Sequence, residues 1–495
     1  MAGSITVVGL GSGDERQLTL GVWSVLQEAE AIWLRTVDHP VVNWLSEQGL
    51  KMQSFDQYYE QHRQFNEVYV AIVDQLMAQA KQGKELVYAV PGHPMVAEYT
   101  VVLLRERCAV EDVRLAIIGG ESFLDQTFLR LGIDPVNGFQ LLDAASMTDD
   151  LLQPRVHTII TQVYDVHTAS DAKLTLMALY PDDFVVVVAH RLGFEDERII
   201  SVPLYELDHV QGYGNHSIVW IPATTEDRVL NRTFAQLREI VHILRSPGGC
   251  PWDREQTHQS IRKNLIEETF EVVETIDADD TDAMCEELGD LLLQIMLHAE
   301  MEEETGQFTV TDVIEAISEK LIRRHPHVFG DVRANSTEEV LTNWQAIKNE
   351  EKRSKGIDVD ANSRMDGIPQ ALPALYKATE IQKRAAKVGF DWTEPAPVLD
   401  KVREELAELI EAWQAKPIGA PEIAEELGDL LFATVNLSRF LKVDADAALS
   451  ATIQKFDQRF RFIEQKISES GQKWEQTSLE QMEEWWQLAK KSKKN

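Results

Sequence analysis

Two stretches of this chain carry carboxylates at a spacing that can do chemistry. Glu268 and Glu271 are followed by Glu287 and Asp290, and Glu405 and Glu408 are followed by Glu426 and Asp429. Each set reads ExxE then ExxD, with the inner acids 16 positions apart in the first set and 18 in the second. On a helix, positions i and i+3 differ by roughly 60° and lie about one turn apart, so each pair projects from one face. Two such helices joined by a short loop run antiparallel and bring their pairs together. Four like charges at one place repel strongly unless a cation sits among them. An all-oxygen set suits a hard divalent ion, Mg²⁺ or Mn²⁺, rather than zinc.

The elements that must position these acids are themselves repeated. EELGDLL occurs verbatim from Glu286 and again from Glu425. Upstream, NLIEETFEVVETI aligns with KVREELAELIEAW, so each set sits on a glutamate-rich helix, a short loop and a helix opening with EELGD. An ExxE on a helix is usually only a solvated face. Here the acids share their helices with Leu288, Leu291, Leu292, Leu427, Leu430 and Leu431, which predicts a buried seam nearby. Gly289 and Gly428 lie inside the helical phrase, each at a cost of about 1 kcal/mol relative to Ala. Their recurrence predicts close approach by another helix or a ligand. Two matched pairs, present twice, outweigh the solvated-face reading.

The segments GGCPWDREQTHQSIRKNLIEETFEVVETID, EELGDLLLQIMLHAEM and KVGFDWTEPAPVLDKVREELAELIEAW closely resemble the MazG nucleoside triphosphate pyrophosphohydrolases, over roughly residues 230–490. The resemblance implies all-α bundles that dimerise and use Mg²⁺ to split nucleoside triphosphates into monophosphate and pyrophosphate. It implies that the eight acids are the metal ligands. Glu267 and Glu404, each just before the first pair, are candidates to orient or deprotonate the attacking water. Lys383, Lys387, Lys455 and Arg459 are candidates to hold phosphates, the last two from KFDQRFRF, which resembles the family's closing helix. The matching place in the first unit reads RRHPHVFGD, so Arg323 and Arg324 are its candidates. Trp252 and Trp392 could pack against the base, although a Trp beside a turn is more often core. Both units keep all four acids, and the closer match of the closing helix favours the second for hydrolysis.

The N-terminal half reads differently. Short β-rich runs (ITVVGL, ELVYAV, VRLAII, HTIIT, DFVVVVAH, SIVWIP) alternate with helical patterns, which predicts an α/β domain over 1–222. ITVVGLGSGD is a strand entering a turn in which Gly9, Gly11 and Gly13 allow a ligand near the backbone, though GxGxG alone is weak evidence. With LVYAVPGHPMVAE, IIGGESFLDQTFLRLGID and HTASDAKLTLMALYPDDFVVVVAH, it resembles the tetrapyrrole (corrin and porphyrin) methylases. That family binds S-adenosylmethionine between two α/β lobes, which here implicates Gly9, Gly11, Gly13, Pro91, Gly92 and His93. Two turns depart from the pattern: the family's GDP is Gly92-His93-Pro94, and its PG(I/V)S is Gly119-Gly120-Glu121-Ser122. The resemblance therefore implies a cleft more strongly than a methyl-transfer site.

The expected architecture is a tetrapyrrole methylase-like α/β domain (1–222), a first MazG-like all-α domain (228–350), a polar linker (351–367) and a second all-α domain (368–490). A length of 495 residues allows two to four domains at about 100–200 residues each. Net charge is −34, which argues against a phosphate-tracking nucleic-acid binder but not against small anions brought with a metal. Three cysteines without CxxC spacing fit a reducing cytosol, and no apolar run approaches the roughly 18 residues of a membrane span. The reading is a cytoplasmic, Mg²⁺-dependent pyrophosphohydrolase of nucleoside triphosphates, acting as a homodimer through its helical domains. Two others compete: an S-adenosylmethionine-dependent methyltransferase regulated by the helical half, and a non-enzymatic dimerisation and nucleotide-sensing module.

Overall fold

The computed structural model describes residues 3–62, 64–354 and 363–492. The chain divides into two compact units, Met1–Val313 and Ile314–Asn495, with the division inside the helix Val310–Arg324. Among the described residues no helix is long and apolar enough to cross a membrane.

The first unit opens with ten strands: β1 Ser4–Gly9, β2 Ile32–Leu34, β3 Met52–Ser54, β4 Glu85–Val90, β5 Arg114–Ile118, β6 Phe139–Asp143, β7 His157–Thr161, β8 Val185–His190, β9 Arg198–Pro203 and β10 Ser217–Ile221. They form two five-stranded sheets, ordered β3-β2-β4-β1-β5 and β6-β7-β10-β8-β9. The first is parallel throughout, and helices cover both faces, so β1 and β4 are continuous apolar runs rather than alternating ones. The second is antiparallel except for β6 with β7. All six β-rich runs are strands. β2, β3, β6 and β9 were not foreseen: β2 and β3 have three residues each, too few to display a period.

After Ile221 no further strand occurs among the described residues. In the first unit the helix Phe234–Arg245 packs on Thr281–Thr305, and Val241, Ile261, Met296, Leu297, Ala299, Met301 and Val310 form the core. Thr257 caps His258–Ala278 by accepting from Ser260 N, and Asp280 caps Thr281–Thr305. Only Asp279 and Asp280 separate those helices, so the chain must reverse there. In the second unit the hairpin is Pro395–Ala415 with Pro421–Phe440, each begun by a proline in the first turn, where its missing N–H costs nothing. Ala374–Ala386 packs on the second of these helices, and Ala445–Ser470 packs on Leu479–Ser492.

The linker expected at 351–367 differs in part. Residues 351–354 finish the helix Thr337–Ser354, because KNEEKRS is rich in good helix formers; 355–362 lie outside the described residues.

Arg245 locks the turn that precedes the first hairpin. Its guanidinium, 5% exposed, binds Glu304 through two nitrogens at 2.7 and 2.9 Å and donates to the carbonyls of Asp253 and Gln256. Replacing it by Met strands those carbonyls, and we expect a loss of roughly 2–3 kcal/mol, measured by urea unfolding. Beside it, His242 Nδ1 lies 2.8 Å from the buried Glu300, whose carboxylate raises the imidazole above its ordinary value of 6.5. The contribution is complete below about pH 6.5 and is lost as pH rises through the raised value. The melting-temperature difference between wild type and His242→Gln should therefore shrink between pH 6 and pH 9.

Candidate functional site

Each hairpin brings carboxylate oxygens together. In the first, Glu268, Glu287 and Asp290 offer oxygens within 4.8 Å of one another; in the second, Glu405, Glu408 and Glu426 do so. The fourth acid of each set, Glu271 or Asp429, is exposed and outside the tight triad. Glu271 still acts on the first, because its charge helps to hold the Glu268 carboxyl above its ordinary range.

The electrostatics of the two clusters differ. Glu268 is held above the usual carboxylate range by loss of hydration, then by the charges of Asp290 and Glu271. Glu287 is raised for the same reasons, with Glu271 and Asp290 as the acting charges. In the second cluster Glu408 is raised by desolvation and by Glu405. Glu405 itself is 6% exposed, yet Lys401 Nζ lies 2.7 Å from it and 2.8 Å from Glu404. Hydrogen bonds to Glu404 and Glu405 in turn push the Lys401 ammonium well above its ordinary value. Lys401 was not among the predicted residues; its place four before Glu405 and three before Glu404 was the legible signal.

The other predicted residues are placed as follows. Glu267 is exposed, and Glu404 is exposed but paired with Lys401. Lys383 and Lys387 are exposed at the end of Ala374–Ala386, a helix docked by buried Gln382, which donates to the Phe432 carbonyl at 2.9 Å. Lys455 and Arg459 lie one turn apart on Ala445–Ser470, and Arg459 stands over the Trp486 ring at 5.3 Å, a second neighbour the sequence reading missed. Arg323 and Arg324 lie in the second compact unit, on Glu351, whose carboxyl they hold at about 2. Trp252 and Trp392 are both exposed rather than core. The turn carrying Trp392 is tied down where Arg439 grips Asp391 at 2.5 and 2.8 Å.

Two local expectations are corrected. Leu288, Leu292, Leu427 and Leu431 are exposed, and the buried residues of both EELGD helices begin only at Gln294 and Ala433. Leu291 and Leu430, between them, are half-buried. Nor, among the described residues, does any helix approach Gly289 or Gly428: a Cβ at either would meet nothing within 4 Å.

In the α/β domain, the loops after β1, β4 and β5 converge at the carboxyl ends of their strands. A Cβ on Gly9 would fall 2.4 Å from the Gly92 carbonyl and 3.0 Å from Gly120 N, and one on Gly11 or Gly13 would meet Gln17. Close approach by the chain itself thus accounts for these glycines. Pro91 leads into Gly92, whose φ is +65° and whose missing side chain faces open space. His93 Nδ1 accepts from Met95 N at 3.1 Å, and its Nε2 would lie 2.7 Å from a Cβ on Gly119. A part-buried pair stands nearby in sequence: Arg35, just after β2, donates to the buried Glu98 (5% exposed) and to the phenol oxygens of Tyr59 and Tyr69.

Comparison with known proteins matches the MazG nucleotide pyrophosphohydrolase domain at residues 256–329 and 394–461, and the tetrapyrrole (corrin/porphyrin) methylases at 4–208. The chain is 47% identical over 494 residues to the uncharacterized protein YabN of Bacillus subtilis, covering 100% of both. It is 47% identical over 257 residues to the nucleoside triphosphate pyrophosphohydrolase/pyrophosphatase MazG of Thermotoga maritima, covering 52% of this chain and 95% of that one. With the nucleoside triphosphate pyrophosphohydrolase of Escherichia coli it shares 46% over 257 residues, 52% of this chain and 96% of the other. Two carboxylate hairpins of one design, behind a two-sheet α/β domain and with relatives matched almost end to end, mean that the chain belongs to the MazG family, in the form that carries a tetrapyrrole methylase domain ahead of a tandem MazG pair.

Proposed function

We propose that the protein hydrolyses nucleoside triphosphates to the monophosphate and pyrophosphate with a divalent ion, Mg²⁺ or Mn²⁺, as a cytoplasmic nucleotide-pool enzyme. The observation that carries the reading is the pair of triads with oxygens inside 4.8 Å, in which Glu268, Glu287 and Glu408 are raised by desolvation and by neighbouring carboxylates. Such donors fit a hard cation. Its ligands would be Glu268, Glu271, Glu287 and Asp290 in one hairpin and Glu405, Glu408, Glu426 and Asp429 in the other. The bound ion would supply charge neutralisation on the phosphates and polarise the attacking water. The names of the Thermotoga and Escherichia relatives support the same activity.

The chain's own groups account for the rest. Water adds to the α-phosphorus, its proton passes to a carboxylate, and the bond to the bridging oxygen breaks to release pyrophosphate. Glu404, which pairs with Lys401 at 2.8 Å, and Glu267 are the proposed proton acceptors. Lys383, Lys387, Lys455 and Arg459 hold the phosphates. We favour the second hairpin, because the helix carrying Lys383 packs on the helix carrying Glu426. The exposed leucines beside both clusters support a homodimer, in which a second copy covers them.

A second reading concerns the α/β domain, as an S-adenosylmethionine site. β1 and β4 are neighbours whose onward connections leave in opposite directions, to β2 and to β5. Ligands bind at such switch points, and Gly92 is open there.

With Mg²⁺ and a triphosphate panel, chromatography should find monophosphate and pyrophosphate but no orthophosphate. Glu426→Gln should lose roughly a hundredfold or more in rate, whereas Glu287→Gln should keep most of it; the reverse pattern would move catalysis to the first hairpin. Separately, calorimetric titration with S-adenosylmethionine should give saturable heat, and a flat trace disposes of the second reading.

A further inference from the structure

The two hairpins share their acids but not their counter-charge. Lys401 Nζ sits 2.7 Å from Glu405 and 2.8 Å from Glu404, on the same helix at i−4 and i−3. Helix register alone brings that ammonium within reach of both carboxylates. Glu405 is 6% exposed, so little water competes for it. Four residues before Glu268, the corresponding position of the first hairpin is Asn264, an amide without charge. Among the described residues, no lysine, arginine or histidine makes an ion pair with Glu268, Glu271, Glu287 or Asp290, and the charges acting most strongly on Glu268 and Glu287 are other carboxylates.

We propose that Lys401 is the resident counter-ion of the second carboxylate cluster and sets its metal affinity below that of the first. The proposal rests on reading both clusters as metal centres. An incoming divalent cation at the second must displace the ammonium from Glu405, whereas at the first it meets carboxylates that no cation occupies. The first cluster therefore takes free divalent metal on its own. The second takes it weakly until an anion is present to accept the displaced ammonium. One repeated motif thus yields a metal-retaining centre and a centre that loads its metal together with an anionic ligand.

Mn²⁺ titration of the full-length protein, with free ion read by electron paramagnetic resonance and no nucleotide present, tests this. Two classes of site are expected: the tighter lost in Glu268→Gln, the weaker in Glu405→Gln. Lys401→Gln should tighten the weaker class about fivefold, the size of one competing ion pair, and leave the tighter one unchanged. Asn264→Lys, the converse change, should weaken the tighter class by a similar factor. If both clusters bind Mn²⁺ but neither Lys401→Gln nor Asn264→Lys shifts its own site, the proposal is overturned and the metal reading stands. If neither glutamine variant alters Mn²⁺ binding, the metal reading itself falls, and the role of Lys401 with it.

Discussion

Carboxylates brought together in a partly dehydrated place repel one another, and much of the helical half is organised around that repulsion. Two responses are open to a protein: bind protons, or bring a positive charge. Among the described residues the first hairpin has no such charge of its own at hand, and Glu268 and Glu287 are raised by desolvation and by neighbouring carboxylates. The second brings a positive charge, by placing Lys401 one turn before Glu405. That does not remove the strain entirely, since Glu408 is still raised. A chain of net charge −34 has few spare cations to offer. A hard divalent ion is the partner that such an all-oxygen set suits, which is the basis of the proposed function.

The acids can be left in this state because the stability of each hairpin is earned elsewhere. Packing is concentrated toward the far end of the EELGD helices, at Met296, Leu297, Ala299 and Met301 in one and at Ala433 and Val435 in the other. Charged anchors outside the clusters set the flanking turns: Arg245 on the carbonyls of Asp253 and Gln256, and Arg439 on Asp391. In the α/β domain, glycine does similar positional work by permitting loops to touch, as where Gly9 meets Gly92 and Gly120.

Legibility in the sequence followed the physics of each feature. The strands with long apolar runs, β1, β4 and β8, were readable because burial on both faces demands such runs. β2 and β3 were not, since three residues carry no period and their pairing is fixed by neighbours distant in sequence. The triads were readable because ExxE and ExxD encode a helix face. Which three acids of each four come closest was not, because that depends on how the two helices rotate against each other. Lys401 was overlooked although its spacing was plain, since attention rested on the acids. The exposure of Leu288 and Leu427 was beyond reach: an apolar residue announces that it will be covered, not by which chain.

The separation of packing from charge along each hairpin also has a dynamic side. A helix opens first where few side chains are buried, and in Thr281–Thr305 every buried residue lies from Gln294 onward. The backbone amides around Glu287 and Asp290 therefore belong to the segment that exchanges with solvent at the lowest free-energy cost. Any ion or ligand that binds only the closed form deepens protection there by mass action, leaving the core end almost unchanged. Occupancy of the acidic end is thereby coupled to the cooperativity of the whole hairpin.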